Sequence, residues 1–370
     1  VRSVTCPDCG ATVEIPVVTV GDESIVVYCK NCLWHDLDAL YGARGLVVWG
    51  GGVTEMACWT CVGPGAGLQA AINTIPAGGI LMLQSGTYTG DITISAPNVT
   101  IIGAGSQQTI LTGSVSVTCT GNVVMRDLNV RASGKAYGVK LFRSGGGVTR
   151  CELTDLWIGA SALNAGDGPV VGLWLDGAIL NRFEHVTFGF NTGAGLYVNT
   201  TDLTGAFTTN ENTFEDCTFS GNGTYGVQME MGVDGAAGMM LNSFHGGNME
   251  NNTTGAFIAD NCTGIVIDGV DFEVTTVANP NIISLTSCQP VEIKNCNFHV
   301  GGSGSATRFF AMFSCACGRV TGNRTDGFSA GDIGTFNENC VQCEAYDNVI
   351  WNDGSGRFIN NRGSMRGNVA

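Results

Sequence analysis

The sequence predicts an all-β solenoid, a right-handed parallel β-helix with an N-terminal capping helix and a small cysteine-rich module ahead of it. Three observations predict it. A short apolar–polar unit recurs along the chain, with its last residue at Val130, Leu156, Phe188, Phe219, Met249, Phe272, Phe298 and Thr325. A second unit, Gly followed by alternating apolar residues, falls between the repeats of the first. Only 13% of the residues are charged while 55 of 370 are glycine, a composition that suits the turns and small-polar faces of stacked strands. With 44% hydrophobic residues the chain has ample material for a core, which argues against disorder.

The N-terminal segment, residues 1–62, reads as a separate module. Cys6-Pro7-Asp8-Cys9 is followed, after nineteen intervening residues, by Cys29-Lys30-Asn31-Cys32. Two C-x-x-C pairs at such a separation have the spacing of a zinc ribbon, in which two tight loops each present a pair of thiolates to one tetrahedral ion. The expected ligands are Cys6, Cys9, Cys29 and Cys32. Four thiolates leave no open coordination position, so the zinc is expected to be structural. Two disulfides, or thiols left free, are the alternatives. Cys58-Trp59-Thr60-Cys61 is a third pair without an evident partner; it reads as a disulfide or as half of a second site with His35. The other cysteines are scattered at repeat positions, where they behave as small apolar residues. Sixteen cysteines used in this way fit folding in a reducing cytoplasm better than an extracellular disulfide framework.

Residues 63–118 are expected to hold the capping helix and first coils. Leu68, Ala71, Ile72 and Ile75 share one helical face. Short strands with Gly, Pro and Asn between them follow. Residues 119–370 are expected to be β-helix repeats and a C-terminal tail. The recurring unit is read as one strand: Met125–Val130, Cys151–Leu156, Phe183–Phe188, Phe214–Phe219, Phe244–Met249, Ile267–Phe272, Ile293–Phe298 and Val320–Thr325. Its first, fourth and sixth positions point inward. This predicts an aromatic stack of Phe188, Phe219, Phe272 and Phe298, with Cys217 and Cys296 filling narrower space. The second strand type, at Gly138, Gly172, Gly195, Gly226 and Gly255, places Val139, Leu173, Leu196 and Val227 inside.

Stacking turns sequence columns into surface ladders with neighbours about 4.8 Å apart. One outward column reads Arg126, Glu152, Glu184, Glu215, His245, Asp268 and Lys294, with His185 and Asp216 beside it. Two carboxylates on successive coils repel, which raises one pKa and suits a general acid. The expected catalytic candidates are therefore Glu184, Glu215, Asp216 and His245. A cation bridging the carboxylates, or a plain solvated face, are the other readings of the same column. A second outward column, Trp174, Tyr197 and Phe257, with Lys140 and Gln228, is expected to be the seam of a homotrimer, a glycan-binding row, or a surface covered by a neighbouring loop.

The helix and first coils over residues 67–112 resemble the opening of pectate-lyase-like β-helices. The stretches 242–252 and 264–273, around Asn242-Ser-Phe-His-Gly-Gly-Asn-Met-Glu250 and Gly264-Ile-Val-Ile-Asp-Gly-Val-Asp-Phe-Glu273, look like the coils of phage tailspike and related virion proteins. The resemblance covers about residues 65–350 and implies architecture rather than activity. The catalytic set of polygalacturonases is absent, and no Arg-x-Pro-x-x-Arg element of pectate lyases is evident.

The formal charge, 17 basic against 32 acidic residues, is −15. Such a surface repels phosphate backbones, which excludes nucleic acid as an expected partner, and no apolar run is long enough to insert in a membrane. The first residues do not read as a signal peptide. These features lead to the expectation of a bacteriophage virion-surface protein, structural or adhesive, made in the host cytoplasm. It would be held to other virion proteins by its N-terminal module, trimeric, and able to bind host polysaccharide. A glycan-degrading enzyme, on a virion or secreted, and a cell-surface adhesin are the rival expectations.

Overall fold

The computed structural model describes residues 2–5, 12–15, 45–46, 58–65, 67–142, 148–161, 166–200, 209–231, 241–274, 278–301, 305–326, 332–336, 340–351, 357–360 and 364–366. Cys6, Cys9, Cys29, Cys32 and His35 lie outside them. Among the described residues the chain is a parallel β-solenoid with one short helix.

Three sheets run along the solenoid. Sheet one starts with the short pair Gly45–Leu46 and Cys58–Val62 and passes through Arg182–Glu184 and Thr213–Glu215 to Ser364–Arg366. Sheet two runs from Gly86–Tyr88 through Thr187–Gly189 to Val349–Trp351. Sheet three runs from Ile92–Ile94 through Val171–Asp176 and Leu196–Thr200 to Arg357–Asn360. Strand Cys58–Val62 pairs in parallel with Ile80–Leu83, so the solenoid sheet begins within the segment read as the attachment module. The helix, Leu68–Thr74, buries Leu68 and Ile72 against the first coils. It is not long and apolar enough to cross a membrane.

The recurring six-residue unit is two strands, not one. Phe183 lies in sheet one and Phe188 in sheet two, and the chain turns between them. The turn residue has a left-handed backbone: φ is 60° at Asp127, 53° at Asp155, 52° at His185 and 49° at Asp216. Asp, Asn and His tolerate this region best among residues with a side chain. Gly246 and Gly269 hold the same place in later coils. Each full coil therefore has three strands where the sequence pattern suggested two. The alignment of one coil also moves: Leu153, not Cys151, pairs with Met125 and Phe183.

The core follows from parallel register, which puts like on like. Phe183, Phe214 and Phe244 stack face to face at centroid separations of 4.5 and 4.7 Å. Phe188 stacks on Phe219 at 4.8 Å and Phe272 on Phe298 at 4.7 Å. Met249 stands between Phe219 and Phe272, so the expected four-ring stack is two pairs separated by a thioether. Val139, Leu173, Leu196 and Val227 are fully buried, as the alternation predicts.

Corners are where backbone groups lose their strand partners, and a buried orphan costs about 1–3 kcal/mol. Asparagine ladders solve this. Asn181 Nδ2 donates to Asn212 Oδ1 at 2.8 Å, and Asn212 Nδ2 to Asn242 Oδ1 at 2.9 Å. Asn191, Asn222 and Asn252 repeat the pattern at another corner, as do Asn323 and Asn348 at the third. Where a cysteine replaces asparagine its thiol is the weaker donor: Cys217 Sγ lies 3.5 Å from the Phe183 carbonyl oxygen and Cys296 Sγ 3.7 Å from that of Ile267. Both cysteines are buried, in line with a packing role.

Candidate functional site

Two outward surfaces carry chemistry. The first is the polar column of sheet one. Glu184 and Glu215 stand directly opposite each other on adjacent strands, and His245 and then Asp268 follow in register. Glu152 does not belong to this column; Thr154 occupies the position, and Glu152 pairs with Arg182. Arg182 is the feature the sequence alignment missed. Its Nη1 lies 3.2 Å from Glu184 Oε2 and its Nη2 2.5 Å from Glu215 Oε2, and its Nε also donates to Glu215 at 3.1 Å. The Glu215 hydrogen bond raises the Arg182 pKa above its usual range, with the charges of Glu215 and Glu184 adding to the shift. One guanidinium thus straddles both carboxylates and offsets the like-charge repulsion on which the acid–base reading rests.

Asp216 lies off the column, at the turn. It faces His185, whose Nε2 is 3.9 Å from Asp216 Oδ2 and whose Nδ1 is 3.5 Å from Asp155 Oδ1. His245 Nδ1 lies 3.9 Å from Asp268 Oδ2. The column continues as Lys294 between Asp268 and Glu292, at 3.8 and 3.0 Å. The four candidates are therefore not gathered in one cleft but strung along an exposed row of ion pairs. Among the described residues no group of three or more His, Cys, Asp or Glu side chains is arranged to hold a metal ion.

The second surface lies on sheet three. Tyr137, Trp174 and Tyr197 project from three successive coils and meet edge to face, with centroid separations of 6.2 and 5.6 Å. Lys140 lies across this row. Its Nζ is 3.7 Å from the Trp174 ring centroid, 4.6 Å from that of Phe142 and 5.9 Å from that of Tyr137. It also lies 3.9 Å from Asp176 Oδ2, and the two side chains are only 16% and 4% exposed. Burial pulls the Lys140 ammonium below its usual pKa range, and the Asp176 charge opposes that shift. Trp174 Nε1 donates to Asn199 Oδ1 at 2.8 Å. The Tyr197 hydroxyl donates to Glu230 Oε2 at 3.1 Å, and the Gln228 amide donates to Glu230 Oε1. Burial, with the Glu230 charge beside it, pushes the Tyr197 phenol up to about 12, so it stays a neutral donor near neutral pH.

Phe257 is not part of this surface. It pairs with Val227, its ring stands edge-on to Phe244, and it is 1% exposed. The glycine at 255 matches Tyr225, not Gly226, so the expected alignment slips by one residue and turns the side chain from outside to inside. Ile258 holds the outward position opposite Gln228. Tyr137, Phe142, Asp176, Asn199 and Glu230 complete the patch and were not singled out from the sequence. The signal was present: each lies two or three residues from a column member already aligned.

No family model matches the chain, and no curated protein matches it. Solved structures do. The structure of ORF18 from Geobacillus virus E2 superimposes with a TM-score of 0.56 at 16% identity, over 79% of this chain and 59% of that one. The chain thus spans 59% of the viral protein's length. The A-module of the Azotobacter vinelandii mannuronan C-5 epimerase AlgE4 gives a TM-score of 0.51 at 17% identity, over 80% of this chain and 94% of that one. The Streptococcus pneumoniae surface adhesin PfbA gives 0.49 at 8% identity, over 81% of this chain and 83% of that one. At these identities the likeness is one of fold.

Proposed function

We propose that this chain is a virion-surface β-helix of a bacteriophage, adhesive or structural in the manner of a tailspike or capsid decoration, and that it engages host glycan through the Tyr137–Trp174–Tyr197 patch. The observation that carries the reading is that Trp174 and Tyr197 project in register from one sheet face, with Tyr137 edge-on to Trp174 and Asn199, Gln228 and Glu230 flanking them. Sugar rings offer apolar C–H faces and a rim of hydroxyls. Aromatic side chains with a few fixed polar groups match both. The charge of −15 favours a neutral or basic glycan over an anionic one.

The rest of the reading builds on this patch. The coil is taken as right-handed, as crossovers between parallel strands are. The cysteine-rich segment ahead of the solenoid strand Cys58–Val62 forms the attachment module, folded around zinc on Cys6, Cys9, Cys29 and Cys32, and the particle-bound form is a homotrimer. The fold likeness to a viral protein is consistent with this reading, while the epimerase module and the adhesin share the same architecture in other settings.

The test is a glycan array of neutral bacterial surface polysaccharides, probed with the whole chain and with the Trp174→Ala and Tyr197→Ala variants. Binding by the parent chain, weakened about fivefold or more in both variants, is expected, since each lost aromatic contact is worth about 1 kcal/mol or more. No binding, or equal binding in all three, removes the proposal.

A second reading has one observation in its favour, the register that sets Glu184 opposite Glu215. If these carboxylates cleave glycan, the parent chain releases oligosaccharide and Glu184→Gln with Glu215→Gln does not. Release that persists in both variants excludes these residues.

A further inference from the structure

We propose that Lys140 and Asp176 form an intramolecular isopeptide bond that joins two neighbouring coils of sheet three. The idea is independent of the glycan reading and uses only the chemistry of the two side chains. Lys140 stands opposite Trp174, and Asp176 opposite Phe142, so the pair are diagonal neighbours on adjacent parallel strands. The long lysine stem closes that diagonal and brings Nζ within 3.9 Å of Asp176 Oδ2. Reacting groups held close together gain effective molarities far above any free concentration, and the attack on Cγ requires the lysine stem to swing further over the carboxyl than it does in the ion pair.

The surroundings suit the step on the lysine side. Lys140 lies among Tyr137, Phe142 and Trp174, and Asp176 is 3% exposed. Burial already draws the lysine towards the neutral amine. Transfer of one proton from the ammonium to the carboxylate creates both reactants at once. The Nζ lone pair then attacks Asp176 Cγ. A C–N bond forms and the C–OH bond breaks, and the hydroxyl leaves with one amine proton as water. The product is a neutral amide, and the step needs no oxidant, reductant or further reactant.

The two strands already share a parallel ladder, so the bond does not create the coil. It closes the loop from 140 to 176 covalently, as a disulfide would, in a place where reduction cannot open it. The residues differ from an ordinary surface ion pair, which is well solvated, in that Asp176 is buried and Lys140 is only 16% exposed.

The intact mass of the denatured full chain decides the matter. The expected result is a mass lower than that of the sequence by one molecule of water. A tryptic digest should then show a branched species linking the peptides that carry Lys140 and Asp176, with no cleavage after Lys140. The Lys140→Arg variant, which keeps the cation over Trp174 but lacks the primary amine, should have the full sequence mass. A full-mass parent chain overturns the proposal, and so does a loss of water that maps to any other pair of residues. The measurement is made on unfolded protein, so it does not depend on whether a variant folds well or binds glycan.

Discussion

Asn212 holds three coils together: its Oδ1 accepts from Asn181 Nδ2 at 2.8 Å, while its Nδ2 donates to the Ala178 carbonyl at 3.0 Å and to Asn242 Oδ1 at 2.9 Å. The residue is fully buried. Replacing it with alanine strands a donor on one side and acceptors on the other.

The expected cost of Asn212→Ala is about 2–3 kcal/mol, the desolvation penalty of the groups it leaves unpaired. Urea denaturation reads it as a lower midpoint. Asn73, a helical residue whose Oδ1 accepts from Gln69 Nε2 at 2.6 Å in an exposed position, is the comparison. Its alanine variant should stay within about 0.5 kcal/mol of the parent, as surface substitutions do. Equal losses at the two sites would mean that the ladder contributes nothing special.

Burial raises the Cys217 and Cys296 thiols to about 12. Since the thiolate is the nucleophile, neither should react with iodoacetamide in native protein at about pH 8, where an ordinary thiol with a pKa of about 8.5 reacts. Cys317 is exposed and should be alkylated under the same conditions. Mass mapping with and without denaturant distinguishes them. Native labelling of Cys217 or Cys296 at the rate of Cys317 contradicts the packing described above.

Asp91 links coils through its carboxylate. Lys135 Nζ donates to Oδ2 at 2.8 Å, and the Ser114 backbone N–H and hydroxyl donate to Oδ1 at 2.8 and 2.9 Å. The Lys135 hydrogen bond, followed by that from the Ser114 backbone, lowers its pKa. A depressed carboxylate contributes stability that is present above its unfolded pKa of about 4 and is lost as pH falls through the folded value. Asp91→Asn should therefore be slightly less stable than the parent at neutral pH, the effect being small because the pair is exposed. The gap should close as the solution is acidified below about pH 3. A gap that widens with acid gives the opposite sign and refutes the linkage.

For the N-terminal cysteines the measurement is native mass spectrometry with and without a chelator. One zinc per chain, lost with chelation and absent from Cys29→Ser, is the expected outcome. A metal-free chain with oxidised Cys6, Cys9, Cys29 and Cys32 would replace the zinc ribbon with disulfides. The same spectra report the oligomer: a trimer supports the proposed assembly, and a monomer at all concentrations opposes it.

The solenoid was legible in the sequence because parallel stacking writes the same residue type at the same place in each coil, as Phe183, Phe214 and Phe244 illustrate. The bend within each unit was not, since His185 and Asp216 carry no mark of a left-handed backbone beyond their residue type. The slip at Phe257 has a clear physical origin. Gly138, Gly172, Gly195 and Gly226 occupy a tight slot; at Gly226 a Cβ would come within 2.7 Å of the Ala256 carbonyl oxygen. One coil later the slot admits Ala256, and after it Ile282, both buried. Following glycine as the marker therefore led to Gly255, one residue short of the true match. On the polar column Arg182 escaped notice because it lies two residues before Glu184, where alternation returns it to the same face but in the neighbouring column.

The turn between sheets one and two has the same length coil after coil: Phe183 to Val186, Phe214 to Cys217, Ile293 to Cys296 and Ala345 to Asn348 each span three positions. The passage from sheet three back to sheet one does not. It is long between Thr200 and Thr213 and short between Asp260 and Ile265. The scaffold thus confines its tolerance for inserted sequence to chosen edges, one of which borders Tyr197 and Glu230. Segments there can be exchanged like cassettes while every rung keeps its partner, and a rigid rod of this kind can acquire a new recognition specificity without refolding its interior.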